Sequence, residues 1–341
     1  MPTGGTHVRR YALLLLLSLA GCARDPVNLP LTFERDAPPP KLQYLGVGGY
    51  LLHWRGEGLL FAPSFSNPAF LGLPPLRVKA DEGAIDARMP PADDVSMLLI
   101  GHAHYDHLLD VPRVMQKQAP NAIAYGSATA GHILRAALPA ARIVNAEPAM
   151  ANIKEAGKAA QPGTWLYSRE RRFRAMPIQS MHAPHFAGMT FLRGRYDQDL
   201  TELPTAVWNW KEGQTLAWLV DLLDDAGRPV YRIHYQDSAS TPPYGFPPIL
   251  ADGKGIDVEI LCVGSWNQVQ RYPDALLKVS RPRLVVLGHW EDFFGNDPER
   301  PQTIRLLDEQ GMVERTRAAL PDGTPVVMPV PLSEVALPAA D

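Results

Sequence analysis

The segment Gly101-His102-Ala103-His104-Tyr105-Asp106-His107 contains three histidines and one aspartate within six residues. It directly follows Val95-Ser96-Met97-Leu98-Leu99-Ile100, an apolar run typical of a buried strand. Neutral imidazole and carboxylate are ligands that divalent transition metals accept. In α/β proteins, ligands bind beyond the carboxyl ends of the strands. The segment therefore predicts a metal site at a strand end.

The spacing within this segment predicts two neighbouring ions. On an extended loop, His102 and His104 project the same way and can bind one ion together. Asp106 and His107 point to a second position one step further along. Two ions held side by side need more ligands than one loop supplies, so we expect others from later in the chain.

The segment 178–185 ends a predicted strand with two histidines, His182 and His185. Either can complete the shell of the first ion, and spacing alone does not choose between them. We slightly prefer His185 as the ligand, with His182 lying behind it or contacting substrate. The alternative is that both are surface histidines on a loop.

Two further candidates follow later apolar strands. Asp237 lies just beyond the strand-like run that includes His234, and its two oxygens suit it to bridge two cations. His234 itself is expected to be a core residue or to support a ligand. Gly288-His289 ends another apolar run, so we predict His289 as the last ligand of the second ion.

Short runs rich in Val, Ile, Leu and aromatic residues recur along the chain and are bounded by Gly, Pro or Asp, as is typical of strands. Helix-like stretches lie between them, and this alternation favours an α/β layered domain over an all-β sandwich. The predicted strands cover residues 42–47, 50–54, 59–62, 95–100, 122–125, 173–181, 216–219, 229–234, 258–263 and 284–287. The predicted helices cover residues 127–138, 273–279 and 313–320.

Residues 1–21 have the features of a secretory signal peptide, with Arg9 and Arg10 before a short apolar run and small residues after it. The run is too short to remain as a membrane-spanning helix. Its end, Leu19-Ala20-Gly21-Cys22, resembles the lipobox of bacterial lipoproteins, in which the cysteine becomes the lipidated first residue. The alternative is an ordinary signal peptide followed by an incidental cysteine.

The lipobox resemblance implies a lipid-anchored protein of the bacterial cell envelope. Arg24 lies two residues beyond Cys22, where the enterobacterial sorting rule reads a non-aspartate as an outer-membrane signal. We therefore expect an anchor in the outer membrane, facing the periplasm. Residues 22–41 are rich in Pro and charge, and predict a tether between this anchor and the domain.

The rest of the mature chain, residues 42–335, is expected to form one domain, since no low-complexity linker divides it. The whole chain is 46% hydrophobic and carries a formal net charge of −3. Loss of Arg9 and Arg10 with the signal peptide changes that charge to −5, which gives no electrostatic reason to bind nucleic acid. Cys262 has no partner for an internal disulfide, and its apolar surroundings predict a buried, inert thiol rather than a ligand. The sequence leaves the oligomeric state open.

The order H-x-H-x-D-H, a later His, an Asp after a strand and a late Gly-His is similar to the metallo-β-lactamase superfamily. The likeness covers residues 42 to about 300. It implies a four-layer αβ/βα sandwich with a dinuclear site at one edge, between two sheets. Within the superfamily, residues 102–110 and 44–52 resemble the N-acyl-phosphatidylethanolamine phospholipase D-like and lactonase-like branch.

The chain departs from this branch in one place and from other branches in several. Where the branch often has Asp-Pro after the third strand, residues 62–68 read Ala-Pro-Ser-Phe-Ser-Asn-Pro, so a supporting carboxylate is missing or replaced by Asn67. His104 stands where related diiron oxidoreductases carry Glu. Asp237 stands where the best-known class of zinc β-lactamases uses Cys. No basic insertion of the kind expected in related nucleases is evident.

Together these features predict a membrane-anchored hydrolase that uses two divalent metal ions, with zinc as the default and Mn or Fe also fitting such ligands. The metals would lower the pKa of a bridging water, and Asp106 would orient the resulting hydroxide for attack. The favoured substrate is a phosphodiester or phospholipid-like molecule. The alternatives are a lactone, carboxylic-ester or β-lactam hydrolase, and a metal-binding envelope lipoprotein without turnover.

Aromatic residues after the second histidine pair are candidates for an apolar mouth beside the metals. They are Tyr196, Trp208, Trp210 and the Pro-rich loop 241–247. The alternative, in which the tryptophans pack against strands and the loop only connects elements, has more weight. If they line the mouth, a lipid or hydrophobic ester is the attractive substrate.

Overall fold

A computed structural model of the protein describes residues 24–68, 76–152, 161–185, 187–294 and 297–340. The predicted signal peptide and Cys22 lie outside these ranges. Among the described residues, no helix is both long enough and apolar enough to cross a membrane.

Two mixed sheets account for the strands of the described chain. The strands are β1 Leu31–Thr32, β2 Lys41–Gly46, β3 Gly49–Trp54, β4 Glu57–Phe61, β5 Val95–Leu99, β6 Ile123–Gly126, β7 Ile143–Asn145, β8 Leu166–Tyr167, β9 Phe173–Gln179, β10 Leu216–Leu223, β11 Pro229–Gln236, β12 Val258–Cys262, β13 Leu284–Gly288, β14 Val326–Pro329 and β15 Glu334–Ala336. The helices are α1 Glu82–Arg88, α2 Tyr105–Leu108, α3 Val111–Lys117, α4 Ala128–Leu134, α5 Asp274–Ser280 and α6 Glu309–Ala318, with short 3₁₀ turns at Ala140–Arg142, Glu147–Ala149, Val207–Asn209 and Trp266–Gln268.

The two sheets share one pairing pattern. The first has the order β15-β2-β3-β4-β5-β6-β7 and the second the order β1-β14-β13-β12-β11-β10-β9-β8. In the first sheet, β15 to β4 pair antiparallel and β4 to β7 pair parallel. In the second, β8 to β11 pair antiparallel and β11 to β14 pair parallel. The parallel strands of both sheets supply carboxyl ends on which a site can be built.

Alternation along the strands builds the layers. On β13, Leu284 and Val286 pack into the core between the two sheets, whereas Val285 and Leu287 pack against the helices on the outer face. α5 and α6 cover that outer face, and α1 to α4 cover the outer face of the first sheet. Parallel strands buried on both faces read as continuous apolar runs, which is how these strands appear in the sequence. The result is the four-layer αβ/βα sandwich that the sequence led us to expect.

The ten predicted strands all form, with ends that differ by a few residues. The helix predicted over 127–138 is shorter and ends at Leu134. Beyond it, the N–H groups of Ala136 and Ala137 donate to carbonyls three residues earlier. The one predicted over 313–320 begins earlier, at Glu309, because the carboxylate of Asp308 accepts the N–H of Gly311 and caps the helix. The short strands β1, β7, β8, β14 and β15 and the helices α1 to α3 were not predicted.

The segment expected as a tether packs on the domain from residue 24 onward. Leu31–Thr32 forms β1 and pairs with β14, and the N–H of Thr303 donates to the carbonyl of Arg24. The apolar residues Leu29 and Leu31 alternate along this segment and pack against the core beside α5 and α6. This period of two is a strand signal that the abundance of Pro and charge obscures. At the other end, Leu337 is buried, so the domain also extends beyond residue 335.

An ion pair joins α5 to α6. Arg315 donates to Asp274 through Nε at 2.5 Å and Nη2 at 2.7 Å, and these hydrogen bonds hold the pKa of Asp274 below its ordinary value of 3.8. Because the folded-state pKa is the lower one, the pair stabilises the fold above about pH 4 and loses its effect as pH falls through that range. We expect Asp274→Asn to lower the free energy of unfolding by about 1 kcal/mol at pH 7.

Urea unfolding at pH 7 and below pH 4 measures this effect. Asp297→Asn is the matched control, because Asp297 pairs with Arg300 at 3.7 Å on the exposed surface. An equal loss from both substitutions, or a loss from Asp274→Asn that persists at low pH, would contradict the assignment.

Candidate metal centre

Seven of the sequence-predicted ligands converge at one edge of the sandwich, between the two sheets. The segment after β5 supplies four of them from the first sheet, and three segments that follow β9, β11 and β13 supply the others from the second. They form three overlapping groups in which the possible ligand atoms lie within 4.8 Å of one another. The groups are His102, His104 and His182; His102, His107 and Asp237; and Asp106, His107 and His289.

The segment after β5 is held in place by the other sheet. The carbonyl of Gly101 accepts the N–H of Leu216 at 2.7 Å, and the carbonyl of Ile100 accepts the indole N–H of Trp218 at 3.1 Å. The sequence led us to expect an extended segment, but the segment is extended only in part. The chain turns at His104 into the short helix α2, which carries Asp106 and His107. The turn brings Asp106 and His107 into one group with His289, while His107 stays close to His102, with ring centroids 4.1 Å apart.

The first group consists of three imidazoles. The Nε2 atoms of His102 and His104 are buried, and neither has a hydrogen-bond partner among the described residues. The Nδ1–H of His182 donates to the carbonyl of Ala183 at 2.6 Å, which leaves its Nε2 as the free lone pair. Unpaired imidazole nitrogens in a buried site are costly unless something binds them. This group fits a metal ion.

The preference for His185 over His182 does not agree with the geometry. The structure brings His182 into the group with His102 and His104, and His185 is in none of the three groups. His185 stacks on His182 with ring centroids 4.7 Å apart, and its Nδ1 accepts the N–H of Phe191 at 3.1 Å. Both residues follow the same strand, and the Nδ1 of His185 is occupied by the 187–191 loop.

Asp237 lies between the other two groups, as expected for a bridging residue. Its Oδ2 accepts from Nδ1 of His102 at 2.5 Å, and its Oδ1 lies 2.9 Å from Nδ1 of His107. The hydroxyl of Tyr235 donates to Oδ1 as well. The carboxylate is thus fixed from both sides in a buried position.

In the third group, Oδ2 of Asp106 lies 3.5 Å from Nε2 of His107 and 3.5 Å from Nε2 of His289. A tetrahedral zinc ion with bonds of about 2.0–2.1 Å spaces its ligand atoms roughly 3.3 Å apart. The observed separations therefore fit a shared ion. Nδ1 of His289 is also buried without a partner in the part of the chain that is described.

Electrostatics keep most of these groups in the ionisation state that a metal requires. Burial and the neighbouring histidines hold the pKa of His104 and that of His182 well below the ordinary value, so both rings are neutral. Burial opposes ionisation of Asp106 and Asp237, but the adjacent histidines outweigh it and keep the pKa of each carboxyl well below its usual range. For His107, burial is outweighed by these two carboxylates, which raise its pKa to about 9. Metal binding at neutral pH would therefore release a proton from His107.

Two glycines make room for the bridging carboxylate. A Cβ on Gly101 would lie 2.1 Å from Cβ, Cγ and Oδ2 of Asp237. A Cβ on Gly48, in the turn between β2 and β3, would lie 2.8 Å from Oδ1 of Asp237 and 2.7 Å from the hydroxyl of Tyr235. Only a residue without a side chain allows these backbone segments to approach Asp237 so closely.

The sequence did not reveal the residues that hold His289. Its N–H donates to the hydroxyl of Tyr44 at 2.9 Å, and that hydroxyl donates to the buried carboxylate of Glu291 at 2.6 Å. Glu291 also accepts the N–H of Val47 at 2.6 Å, so one carboxylate ties the β2–β3 turn to the His289 segment. The position of Glu291, two residues after a predicted ligand, was the available signal.

The sequence left open whether a supporting carboxylate near residues 62–68 is missing or replaced by Asn67. In the structure, the buried carboxylate of Asp110, which follows α2, binds this segment. It accepts the N–H of Phe65 at 2.6 Å and that of Ser66 at 2.9 Å. Burial raises the pKa of Asp110 to about 6, against the lowering effect of these hydrogen bonds. Oδ1 of Asn67 is buried and has no hydrogen-bond partner within the described ranges.

A cavity of about 400 Å³ opens beside the first group. We call it the His182 cavity; its lining includes His182, Arg193, Arg195, Gln214, Thr215 and Tyr244. Tyr244 is the member of the predicted aromatic mouth that lines it. Trp210 instead packs in the core beneath α3 and α4, with Tyr196 against that core. The packing alternative therefore holds for Trp210, while Trp208 is half exposed elsewhere on the surface.

Two other predicted side chains lie outside the groups. His234 is fully buried in β11, and its Nδ1 lies 2.5 Å from Oε1 of Glu259 on the neighbouring strand. It is a core residue, as expected. Cys262 is buried at the end of β12, where burial raises the pKa of its thiol, and Sγ lies 3.7 Å from the carbonyl oxygen of Gly264.

Searches with the sequence found no matching protein-family model and no matching curated protein. Some solved structures are similar to this chain. The metallo hydrolase Igni18 from Ignicoccus hospitalis has 14% identity and a TM-score of 0.48, with 86% of this chain and 97% of that chain covered. The metallo-beta-lactamase fold protein YhfI from Bacillus subtilis has 12% identity and a TM-score of 0.49, with coverage of 87% and 100%.

An isothiocyanate hydrolase from Delia radicum gut bacteria matches at 13% identity with a TM-score of 0.48, and 88% of this chain and 100% of that chain are covered. The assignment of this chain to a four-layer αβ/βα sandwich with a candidate dinuclear centre rests on its own sheet order, layers and ligand geometry.

Proposed function

We propose that the protein is a metal-dependent hydrolase with two divalent ions that acts on a phosphodiester or phospholipid-like substrate. One observation carries the proposal: three groups of buried His and Asp side chains overlap through His102 and His107. Shared ligands require the two ion positions to be adjacent, which is the arrangement of hydrolytic two-metal centres. Zinc is the default metal for these ligands.

The residues divide naturally between the two positions. His102, His104 and His182 would hold one ion, and Asp106, His107 and His289 the other. Asp237 would lie between them. Bound there, such ions lower the pKa of water and polarise a phosphoryl or carbonyl oxygen.

Asp106 has the properties of the group that orients the attacking water. Its side chain is 12% exposed, more than that of His107 or Asp237, so it faces the open side of the centre. Its pKa lies well below the usual range because the adjacent histidines outweigh the effect of burial, so its carboxylate accepts a hydrogen bond from water at neutral pH. The centre has no need of a separate serine or cysteine nucleophile.

The substrate class rests on the likeness of residues 102–110 and 44–52 to the phospholipase D-like branch. A lipid anchor on Cys22 would hold the enzyme at the outer membrane, facing the periplasm, where phospholipid is at hand. We propose this location on the lipobox alone. The first test of the anchor is whether labelled palmitate is incorporated into the wild type but not into Cys22→Ala.

Elemental analysis of residues 23–341, purified without chelator, tests the centre. We expect close to two transition-metal ions per chain in the wild type. We expect a clear loss of metal in His102→Ala and in Asp237→Ala, because His102 belongs to two of the groups and Asp237 to one. His53→Ala is the matched control, since His53 is exposed and pairs with Asp94 away from the centre. Less than about half an equivalent after reconstitution would refute the hydrolase.

The loaded protein then distinguishes the substrate classes. Release of p-nitrophenol from bis(p-nitrophenyl) phosphate, lost in His102→Ala, supports the phosphodiesterase. Ring opening of a lactone or a β-lactam without phosphodiester turnover would instead identify the carboxylic-ester alternative. Full metal content with turnover of none of these substrates supports the non-catalytic envelope protein.

A further inference from the structure

The His182 cavity is lined by two positively charged side chains. Arg193 and Arg195 both line it. Arg193 donates to the hydroxyl of Thr190 at 2.9 Å, and Arg195 donates to Oε1 of Gln214 at 3.4 Å. Neither guanidinium forms an ion pair within the described residues.

Some other arginines of the described chain are held by carboxylates. Arg232 is held by Asp221 and Asp252, and Arg315 by Asp274. Arg193 and Arg195 are exposed and, unlike these two, form no ion pair among the described residues, so their guanidinium groups are available to an anionic ligand.

The surrounding groups fix the two arginines rather than neutralise them. Nε2 of Gln214 donates to the carbonyls of Ser180 at 3.1 Å and Thr215 at 2.9 Å, which leaves its Oε1 to orient Arg195. The one acidic side chain among the lining residues is Glu212, whose Oε1 already accepts from the hydroxyl of Thr215 at 3.1 Å. The cavity keeps a net positive charge.

The cavity adjoins the candidate metal centre at His182, which belongs to both. A ligand bound in the cavity can therefore contact His182 and the two arginines, which share its lining. Its lining also includes Met181, whose side chain is half exposed, and Tyr244, so the connecting part of such a ligand can be apolar. A volume of about 400 Å³ accommodates a small substituent.

We propose that Arg193 and Arg195 select substrates that carry a second anionic group, a carboxylate or a phosphate, separate from the ester that is attacked. This inference rests on the hydrolase proposed above and names the class of its substrate. The fork-shaped guanidinium groups bind the oxygens of a carboxylate or phosphate in pairs, and Gln214 and Thr190 hold them in position. The two arginines are specificity-determining residues, and the reaction itself occurs at the metal centre.

A matched pair of synthetic diesters tests this selection. Ethyl p-nitrophenyl phosphate and 3-carboxypropyl p-nitrophenyl phosphate share the scissile bond and differ by the terminal carboxylate. We expect the wild type to show a KM for the carboxylate diester that is about 10- to 100-fold lower. Arg193→Gln/Arg195→Gln should abolish this preference, so that the KM for the carboxylate diester rises to that for the ethyl diester. Arg193→Lys/Arg195→Lys should restore part of it.

The control variant is Arg228→Gln, because Arg228 is exposed in the β10–β11 hairpin and pairs with Asp224. It should behave like the wild type. An equal KM for the two diesters in the wild type, or a preference that survives in the double Gln variant, would overturn the proposal. If a diester with a terminal phosphate is preferred over the one with the terminal carboxylate, the anion that the arginines select is a phosphate.

A binding measurement separates this proposal from the hydrolase itself. In chelator-treated protein, calorimetric titration with inorganic phosphate should show binding in the wild type and in Arg228→Gln, and at least about tenfold weaker binding in the double Gln variant. If neither diester is turned over, the proposed phosphodiesterase activity fails while this titration still decides the role of the arginines. Equal phosphate binding in all variants would overturn that role.

Discussion

Gly101→Ala is expected to disable the metal centre, although glycine to alanine is the smallest possible addition. The new Cβ would lie 2.1 Å from three atoms of Asp237, and neither side can move freely. The carbonyl of Gly101 is bonded to Leu216 on the second sheet, and Asp237 is held by His102 and Tyr235. We expect a loss of more than about 2 kcal/mol in the free energy of unfolding, and metal content lowered by at least half.

Urea unfolding and elemental analysis of the same preparation measure both effects. Gly255→Ala is the matched control: its Cβ would meet no atom within 4 Å, and its φ lies outside the positive range. It should leave stability and metal content unchanged. A Gly101→Ala protein with full metal content would show that Asp237 can shift without consequence, which would remove it from the centre.

Asp106→Asn is expected to separate the two ion positions. Asp106 belongs only to the group with His107 and His289, while the group of His102, His104 and His182 does not include it. The substitution keeps the shape of the side chain but removes the negative charge that would help to bind the second ion. We expect the metal content to fall from about two ions to about one per chain, and kcat to fall about 10²- to 10⁴-fold.

Elemental analysis and turnover of bis(p-nitrophenyl) phosphate measure these changes in one preparation. Asp94→Asn is the control, because Asp94 is exposed and pairs with His53 away from the centre. Loss of both ions in Asp106→Asn would show that the positions are not independent. An unchanged kcat with two ions would exclude Asp106 from the reaction.

Together with Asp237→Ala, these substitutions distinguish residues that would bind metal from a residue whose small size allows the backbone to approach Asp237. Asp106 and Asp237 carry charge into the centre, whereas Gly101 only allows the two sheets to meet there. A loss of metal in all three variants, with a loss of stability in Gly101→Ala, would fit the geometry. The arginines of the His182 cavity have a separate role, because we expect their replacement to change the choice of substrate and not the metal content.

Much of the fold was predictable because each buried strand is a local apolar run. The strands that flank the centre, such as β5 and β13, are apolar on both faces, so their signal is continuous. Elements at the edges of the sheets were missed because they are short and only half buried. β1 is the clearest case, since its alternating leucines lie within a segment rich in Pro and charge.

The candidate ligands were also predictable as residue types, because imidazoles and carboxylates stand out directly after apolar runs. Their grouping was not. The sequence favoured His185, and the structure brings His182 to His102 and His104. It left a gap in place of the Asp-Pro, and Asp110 supports that segment from another element.

The sequence by itself determined which side chains are candidates to bind metal, and that they follow buried strands. Those properties depend on residue type and local periodicity, which a sequence states directly. The tertiary structure alone decided which nitrogen faces which carboxylate, which backbone segments meet closely enough to require Gly48 and Gly101, and that Arg193 and Arg195 share a cavity with His182. Those contacts join residues far apart in the chain, and their geometry is fixed only when the two sheets pack against each other.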